Sequence, residues 1–201
     1  MCSSDLTASG YAIAIDADGK VAVAGSVTGA LDGGKAGDVA GVADSFVSVF
    51  DADGQELWTQ RRGARAADEA TSVSFGPDGA VYVAGRAQSA MTGTAGVGGW
   101  DGYVQAFTAS QAYPSAPYVA SAIGTTQFGT VGTDGVDAVA VDGSNLYTAG
   151  IEDGRIVVRQ FTLDGDGKPT LAASRDLGEA SGEISGRSEE HTSELQSRAY
   201  L

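Results

Sequence analysis

Three short acidic turns are the parts of this chain whose residue types and spacing are most suggestive of chemistry. DADG occurs at Asp16 and again at Asp51, and DGDG occurs at Asp164. Oxygen ligands at alternate positions suit a hard cation such as Ca²⁺. The candidate calcium ligands are Asp16, Asp18, Asp51, Asp53, Asp164 and Asp166.

The surroundings of these turns favour a simpler interpretation. An EF-hand loop needs an oxygen ligand at its fifth position and a glutamate at its twelfth. The fifth residues here are Lys20, Gln55 and Lys168, and none of the three turns has a glutamate at the twelfth position. We therefore expect hairpin turns, in which the aspartate caps its own turn and glycine adopts a positive φ. No cofactor is expected, with a non-EF calcium site as the alternative.

Two carboxylate pairs could in principle perform acid–base chemistry of the glycosidase kind. They are Asp68 with Glu69, and Asp134 with Asp137. Both pairs occupy matching positions in similar stretches of sequence, whereas a catalytic pair is needed only once. This recurrence favours a structural role, and we predict no catalytic residues and no metal ligands of the His or Cys type.

Composition limits the classes of partner. The chain has 201 residues, 30 of them glycine, and a formal net charge of -14. Nucleic acids and anionic membranes select for basic proteins, so both are poor partners. No apolar run approaches the roughly 20 residues of a membrane helix. The length suits one sizeable domain rich in turns.

The elements that must position any site are repeated. Three stretches each combine an alternating apolar strand, a tight turn and a second strand that ends in Ala-Gly. They are GYAIAIDADGKVAVAGSV, ATSVSFGPDGAVYVAGRA and VDAVAVDGSNLYTAGIE, and they close at Gly25, Gly85 and Gly150. Repetition at this spacing is typical of a repeat architecture.

Period-2 alternation predicts four strands in each repeat. The predicted strands are 11–16, 21–27, 45–50 and 57–62, then 70–75, 80–86, 102–107 and 117–123, then 136–141, 145–150, 155–162 and 170–176. A four-stranded sheet that is apolar on both faces must stack on similar sheets. We predict an all-β fold of four-stranded antiparallel blades, about three blades of an open β-propeller, with a two-sheet sandwich as the alternative.

The repeats resemble the SBBP-type bacterial β-propeller repeat over about residues 8–177. The carboxylate pair of that repeat is matched by Asp68 and Glu69 of ADEATSVSFGPDGAVYVAGRA, and its glycine turn by Gly79. The aspartate after its second strand is matched by Asp101, and its tryptophan is matched, one repeat earlier, by Trp58. The third repeat diverges, because Gly154 stands where aspartate is expected. The resemblance implies a propeller with blades at 8–63, 68–123 and 134–177. It also implies a large bacterial protein that is exported or surface-associated; a few such proteins are similar to ones named for flagellin regulation.

Both ends of the chain differ from its middle. RSEEHTSELQS, near the end, is similar to the conceptual translation of a DNA sequencing adapter, and CSSDL, near the start, to the translation of its other strand. We expect residues 1–6 and 187–201 to be artefacts, with an amphipathic terminal helix as the alternative for the second. The only cysteine, Cys2, and the only histidine, His191, would then belong to no site.

Two long loops are the predicted binding regions, because long loops on a rigid scaffold often carry binding residues. They span residues 28–43 and 88–100 and emerge on the same side of the predicted blades. The candidate binding residues are Asp32, Lys35, Asp38, Met91 and Trp100. Trp58 and Tyr82 lie on strands and are assigned to packing between blades.

These features together predict a non-enzymatic β-propeller scaffold or binding module from a larger secreted or surface protein. Its expected partners are a protein or glycan ligand and the remaining blades of the parent chain. The alternative is a fragment of a propeller enzyme, such as a carbohydrate-active one, whose active site lies in blades outside this chain. The first strands AIAI, SVSF and AVAV offer no polar cluster to a central channel.

Overall fold

Strands account for almost all regular structure in this chain. The computed structural model describes residues 7–28, 42–61, 63–180 and 184. Within them lie one 3₁₀ turn, at Pro77–Gly79, and twelve strands: β1 (Thr7–Ile15), β2 (Val21–Thr28), β3 (Asp44–Phe50), β4 (Glu56–Arg61), β5 (Asp68–Phe75), β6 (Val81–Ala87), β7 (Asp101–Ser110), β8 (Val119–Phe128), β9 (Asp134–Asp142), β10 (Asn145–Glu152), β11 (Arg155–Leu163) and β12 (Pro169–Glu179). The two predicted artefact segments, with Cys2 and His191, lie outside the described residues.

The strands form three sheets of identical topology. The first sheet has the order β1-β2-β3-β4, the second β5-β6-β7-β8 and the third β9-β10-β11-β12. Every neighbouring pair is antiparallel. The predicted all-β fold of four-stranded antiparallel sheets is thus confirmed. None of the described residues belongs to a helix long and apolar enough to cross a membrane.

Each first strand contains a β-bulge, at which one extra residue has no partner on the neighbouring strand. The register shifts at Tyr11 in β1, at Thr71 in β5 and at Asp137 in β9. The apolar alternation changes phase at a bulge. For this reason the first strands begin earlier in the structure than the predicted residues 11, 70 and 136.

The second sheet differs from prediction at its last strand. The alternation predicts a strand over 117–123, whereas β8 runs over Val119–Phe128 and pairs with the whole length of β7. The added residues, GTTQF, carry no apolar alternation, and backbone pairing with β7 extends the strand.

The glycine that closes each repeated hairpin is required by the bulge opposite it. A Cβ atom at Gly85 would lie 2.0 Å from the carbonyl oxygen of Glu69, and Cβ atoms at Gly25 and Gly150 would lie equally close to the first strands of their sheets. Only a residue without a side chain fits so near another backbone. The repeated Ala-Gly therefore reflects a steric constraint inside each sheet.

A hydrophobic core fills the space between the first and second sheets. It includes Ala22, Val47 and Trp58 from the first sheet and Val73 and Phe107 from the second, all buried. The rings of Trp58 and Phe107 meet with their centroids 6.2 Å apart. The predicted packing role of Trp58 is confirmed.

A second core joins the second and third sheets. Tyr82 and Val104 pack against Val139, Leu146 and Phe161, and all five are almost fully buried. The Tyr82 hydroxyl donates a hydrogen bond of 2.9 Å to a carbonyl oxygen of the third sheet, in the turn before β12. Tyr82 therefore packs between sheets, as predicted, and also bonds across them.

Gly85→Ala should lower the free energy of unfolding by about 3 kcal/mol, since overpacking against backbone cannot be relieved by a side-chain rotation. Gly10→Ala is the matched control. A Cβ atom at Gly10 would meet only a Val23 methyl group, at 3.5 Å. Urea unfolding of both variants measures the difference. Equal losses would contradict the steric account of the repeated glycine.

Candidate functional site

The extra residues of the three bulges line one groove. Tyr11, Thr71 and Asp137 all border a cavity of about 730 Å³, which lies where the first strands of the three sheets come together. Glu69 and Arg86 also line it. We call this cavity the central groove. The bulges turn these side chains out of the alternation that buries their neighbours, so polar side chains lie beside apolar ones such as Val136 and Ile151 in the groove.

A fixed guanidinium group lies on one wall of the central groove. The Arg86 Nε donates a hydrogen bond of 2.5 Å to Glu69 Oε1. On its other side, the Arg86 guanidinium carbon lies 4.8 Å from the centre of the Trp100 ring. The side chain of Arg86 is still 43% exposed. A cation held between a carboxylate and an indole, yet open to solvent, can contact an incoming group without first being ordered.

Hydroxyl groups connect the second and third sheets beside the groove. The Thr71 hydroxyl donates a hydrogen bond to the Val136 carbonyl oxygen, and Ser72 Oγ accepts one of 2.9 Å from the Val139 amide. On the first-strand backbone, the Glu69 carbonyl oxygen accepts a bond of 3.2 Å from the Tyr103 hydroxyl. These bonds hold the groove wall in place.

A buried carboxylate at the start of β5 joins the first two sheets. Asp68 accepts hydrogen bonds of 2.7 Å from the Ser45 amide, in β3, and of 2.7 Å from the Ala64 amide, in the connection between the sheets. Its own amide donates a bond of 2.9 Å to the Ala43 carbonyl oxygen. We call this arrangement a carboxylate junction.

A second carboxylate junction joins the second and third sheets. Asp134 accepts hydrogen bonds from the amides of Thr130 and Asp153, and its own amide donates a bond of 2.8 Å to the Trp100 carbonyl oxygen. Asp134 is 1% exposed, as is Asp68. The predicted structural role of these carboxylates is consistent with this placement.

The two junctions differ in one neighbouring side chain. In the first, Arg61 Nε lies 3.4 Å from Asp44 Oδ2, and both side chains are buried. In the second, the Gln127 amide takes the position of the arginine and donates a bond of 3.0 Å to Asp101 Oδ2. The neutral amide of Gln127 thus lies beside Asp101, where the cationic Arg61 lies beside Asp44.

Burial changes the acidity of Asp68. The pKa of its carboxyl group is raised from 3.8 to about 6: loss of solvation raises it most, hydrogen bonds from Ser45 and Ala64 oppose the rise, and the nearby charge of Asp44 adds to it. Desolvation is the largest cause because the charged form loses water that two amides replace only in part.

The predicted binding residues do not form one cluster. Trp100 lies against Arg86 at the groove, whereas Met91 is 2% exposed and packs with Ala64, Ala87 and Tyr103. Its burial leaves Met91 little surface for a ligand. The other candidates, Asp32, Lys35 and Asp38, lie outside the described residues.

The acidic turns are held by their own backbone. Asp16 Oδ1 accepts hydrogen bonds of 3.0 Å and 2.7 Å from the amides of Asp18 and Lys20. The other two turns repeat the pattern: Asp51 accepts from Asp53 and Gln55, and Asp164 from Asp166 and Lys168. In the described part of the chain no three His, Cys, Asp or Glu residues are grouped as metal ligands.

Sequence reasoning missed the polar groove. AIAI, SVSF and AVAV, which were expected to offer no polar cluster, contribute no residue to the groove. Its polar residues Glu69, Thr71 and Asp137 lie just before these stretches, at or beside the bulges. The signal available was the glycine opposite each bulge. A repeated glycine facing a first strand indicates a close backbone approach, and hence a change of phase in the alternation.

Comparison with known proteins gives one informative relative. No family model matches the chain. The chain is 42% identical over 165 residues to a protein named Regulatory protein FlaEY, from Caulobacter vibrioides (strain ATCC 19089 / CIP 103742 / CB 15). The match covers 78% of this chain but only 17% of the relative.

This similarity corrects the functional expectation. A secreted or surface propeller scaffold or binding module, and the alternative of a propeller enzyme fragment, were expected from the repeat pattern. The relative is instead named as a regulatory protein. The expected description as a secreted or cell-surface SBBP protein is likewise unsupported. The repeat pattern reflects how the sheets pack, and packing does not specify function.

The free energy of unfolding should rise as the pH falls from about 6 towards 3.8, because folded Asp68 binds its proton more tightly than the unfolded chain does. A pKa difference of about two units corresponds to up to about 3 kcal/mol. Asp68→Asn should remove this contribution, whereas Asp53→Asn, at an exposed turn, should retain it. Urea unfolding across this pH range measures both. An unchanged pH profile in Asp68→Asn would contradict the assignment.

Proposed function

We propose that this chain is a segment of a regulatory protein and that its regulatory contacts are made at the central groove. The observation that carries the proposal is the identity of 42% over 165 residues to Regulatory protein FlaEY. The chain spans about a sixth of that relative's length, so most of the relative lies outside the matched region.

We further propose that the three sheets are consecutive blades of a β-propeller. The first strands support this arrangement, since β5 packs against both β1 and β9, and the fourth strands follow in the same order, with β8 between β4 and β12. Sheets that are stacked face to face with their first strands on one side are typical of propeller blades. The central groove would then lie at the propeller axis.

The chemistry of the groove suits reversible contact with a polar or charged segment of another molecule. Arg86 offers guanidinium hydrogens and Glu69 a carboxylate, and Trp100 holds the arginine in position. A preorganised charged pair costs little conformational entropy when a partner binds. The overall charge of -14 favours a partner that is not itself acidic.

A chimera tests the regulatory proposal. In Caulobacter vibrioides, the region of FlaEY that matches this chain is either deleted or replaced by this chain, and transcript levels are compared with those of the intact strain. Deletion should change the profile and replacement should restore it. If deletion of the region leaves every transcript unchanged while the protein accumulates normally, the segment has no regulatory role.

The groove is tested in the same chimera. Arg86→Ala should abolish most of the restored transcript change, since a hydrogen bond to a charged group contributes about 1.5–3 kcal/mol, or roughly tenfold or more in affinity. Arg155→Ala is the matched control, because Arg155 forms an exposed ion pair with Asp176 away from the groove. Equal effects of the two variants, at equal protein levels, would contradict a role for the groove.

A further inference from the structure

A charged pair in the second sheet has no counterpart in the other two, although the strands that carry it are repeated. Glu69 lies opposite Arg86, one step beyond the close approach at the closing glycine. At the same step the first sheet pairs Ser9 with Ser26, and the third pairs a glycine with an isoleucine. The charged pair is therefore not needed to build a sheet, which leaves it available for binding.

Trp100 is particular to the second sheet as well. Its carbonyl oxygen accepts a hydrogen bond from the Asp134 amide at the second carboxylate junction. Ala43 has the same place at the first junction, where its carbonyl oxygen accepts the bond from the Asp68 amide. The junction thus fixes the main chain of Trp100, and the indole in turn holds the Arg86 guanidinium. The junctions recur, whereas the cation and its aromatic support occur together at one of them.

The Arg86 side chain lies where the second and third sheets meet. A Cβ atom at Gly135, in β9, would lie 3.4 Å from Arg86 Cδ, so the arginine passes over a residue that has no side chain. Thr133 and Val136 line the central groove from the same region of the third sheet. The walls next to Arg86 therefore belong to two neighbouring sheets, both of them described.

The hydrogen-bonding groups of Arg86 are used on one edge only. A guanidinium has five N–H hydrogens in a planar fork. Nε and Nη2 each lie 2.5 Å from Glu69 Oε1. In the described part of the chain no hydrogen bond or ion pair engages Nη1, and the side chain is 43% exposed. The edge formed by Nη1 and Nη2 is therefore open, and its parallel hydrogens match the two oxygens of one carboxylate.

We propose that Arg86 binds a carboxylate group of the regulatory partner through this open edge. The proposal names the partner chemistry for the contacts proposed above and rests on them. Phosphate matches the same edge, but it carries more negative charge, and Glu69 and Asp137 already line the groove of a chain whose net charge is -14. A single carboxylate, on a partner that is not acidic overall, meets less repulsion.

Fluorine NMR of the whole chain labelled with 5-fluorotryptophan tests the proposal. The chain has two tryptophans, and Trp58, 8% exposed in the core between the first and second sheets, is the internal reference. Three probes are titrated: an acetylated alanine tripeptide with a free carboxyl terminus, an amidated tripeptide with one central aspartate, and inorganic phosphate. The amidated alanine tripeptide, which has no carboxylate, is the blank.

A carboxylate probe should move the Trp100 signal to saturation, while the Trp58 signal and the blank titration stay unchanged. Tighter binding of the first tripeptide would identify the partner group as a chain terminus, and tighter binding of the second as an acidic side chain.

Two substitutions at the site should act in opposite directions. Arg86→Lys keeps the charge but has no fork, and should weaken carboxylate binding about tenfold. Glu69→Gln keeps an oxygen acceptor for Arg86 and removes a nearby like charge, and should strengthen carboxylate binding about threefold. Arg155→Ala is the matched control and should leave the affinity unchanged, because its exposed ion pair with Asp176 lies away from the groove.

Phosphate binding more tightly than both carboxylate probes, weaker carboxylate binding in Glu69→Gln, or a Trp100 signal that no probe moves would each overturn the proposal. The FlaEY chimera is read out separately. Carboxylate binding, combined with an Arg86→Ala chimera that still restores the transcripts, would contradict the regulatory role and leave the binding chemistry standing. Loss of restoration without carboxylate binding would do the reverse.

Discussion

The buried carboxylate at the first residue of β5 and of β9 is the interaction on which the arrangement of the sheets depends. The Asp68 carboxylate accepts a hydrogen bond from Ser45 of the previous sheet, whereas the Asp134 carboxylate holds the connection at Thr130 and the third sheet at Asp153 while its amide bonds the Trp100 carbonyl oxygen. Each junction thus fixes where a new sheet begins relative to the previous one. Apolar packing alone is non-directional and would allow neighbouring sheets to slide. Directional bonds to buried amides remove that freedom, at the cost of desolvating a carboxylate, as the raised pKa of Asp68 shows.

The bulge that follows each junction links this packing to the groove. It changes the phase of the strand, so that residues beyond it point into the inter-sheet cores while Tyr11, Thr71 and Asp137 line the central groove. It also brings the first strand so close to the second that only glycine fits there, at Gly85 for example. Packing, groove and repeated glycine are thus consequences of one local irregularity.

Much of the fold could be predicted from the sequence because apolar runs of alternating small and large residues, such as VAVAG in β2, recur between acidic turns that mark their ends. The bulges were not predicted, since the alternation alone does not register one inserted residue and the glycine opposite each bulge was the only signal for it. The groove was missed for that reason. Thr71 and Asp137 can be assigned to it only when it is known that the bulge shifts the alternation by one residue. Met91 was expected at a binding surface, but its amide donates to Gln127 of β8 and its side chain lies beneath the loop. That contact depends on the five residues of β8 that the alternation did not predict.

Hydrogen exchange of the whole chain, resolved to single amides, tests the role of the junctions most directly. Ala64 lies in the connection between two sheets, outside any strand, yet its amide is bonded to the buried Asp68. We predict that the Ala64 amide exchanges as slowly as amides in the centre of β6, because both open only when the sheets separate. Exchange of Ala64 at the rate of an exposed loop amide, with β6 still protected, would contradict the account.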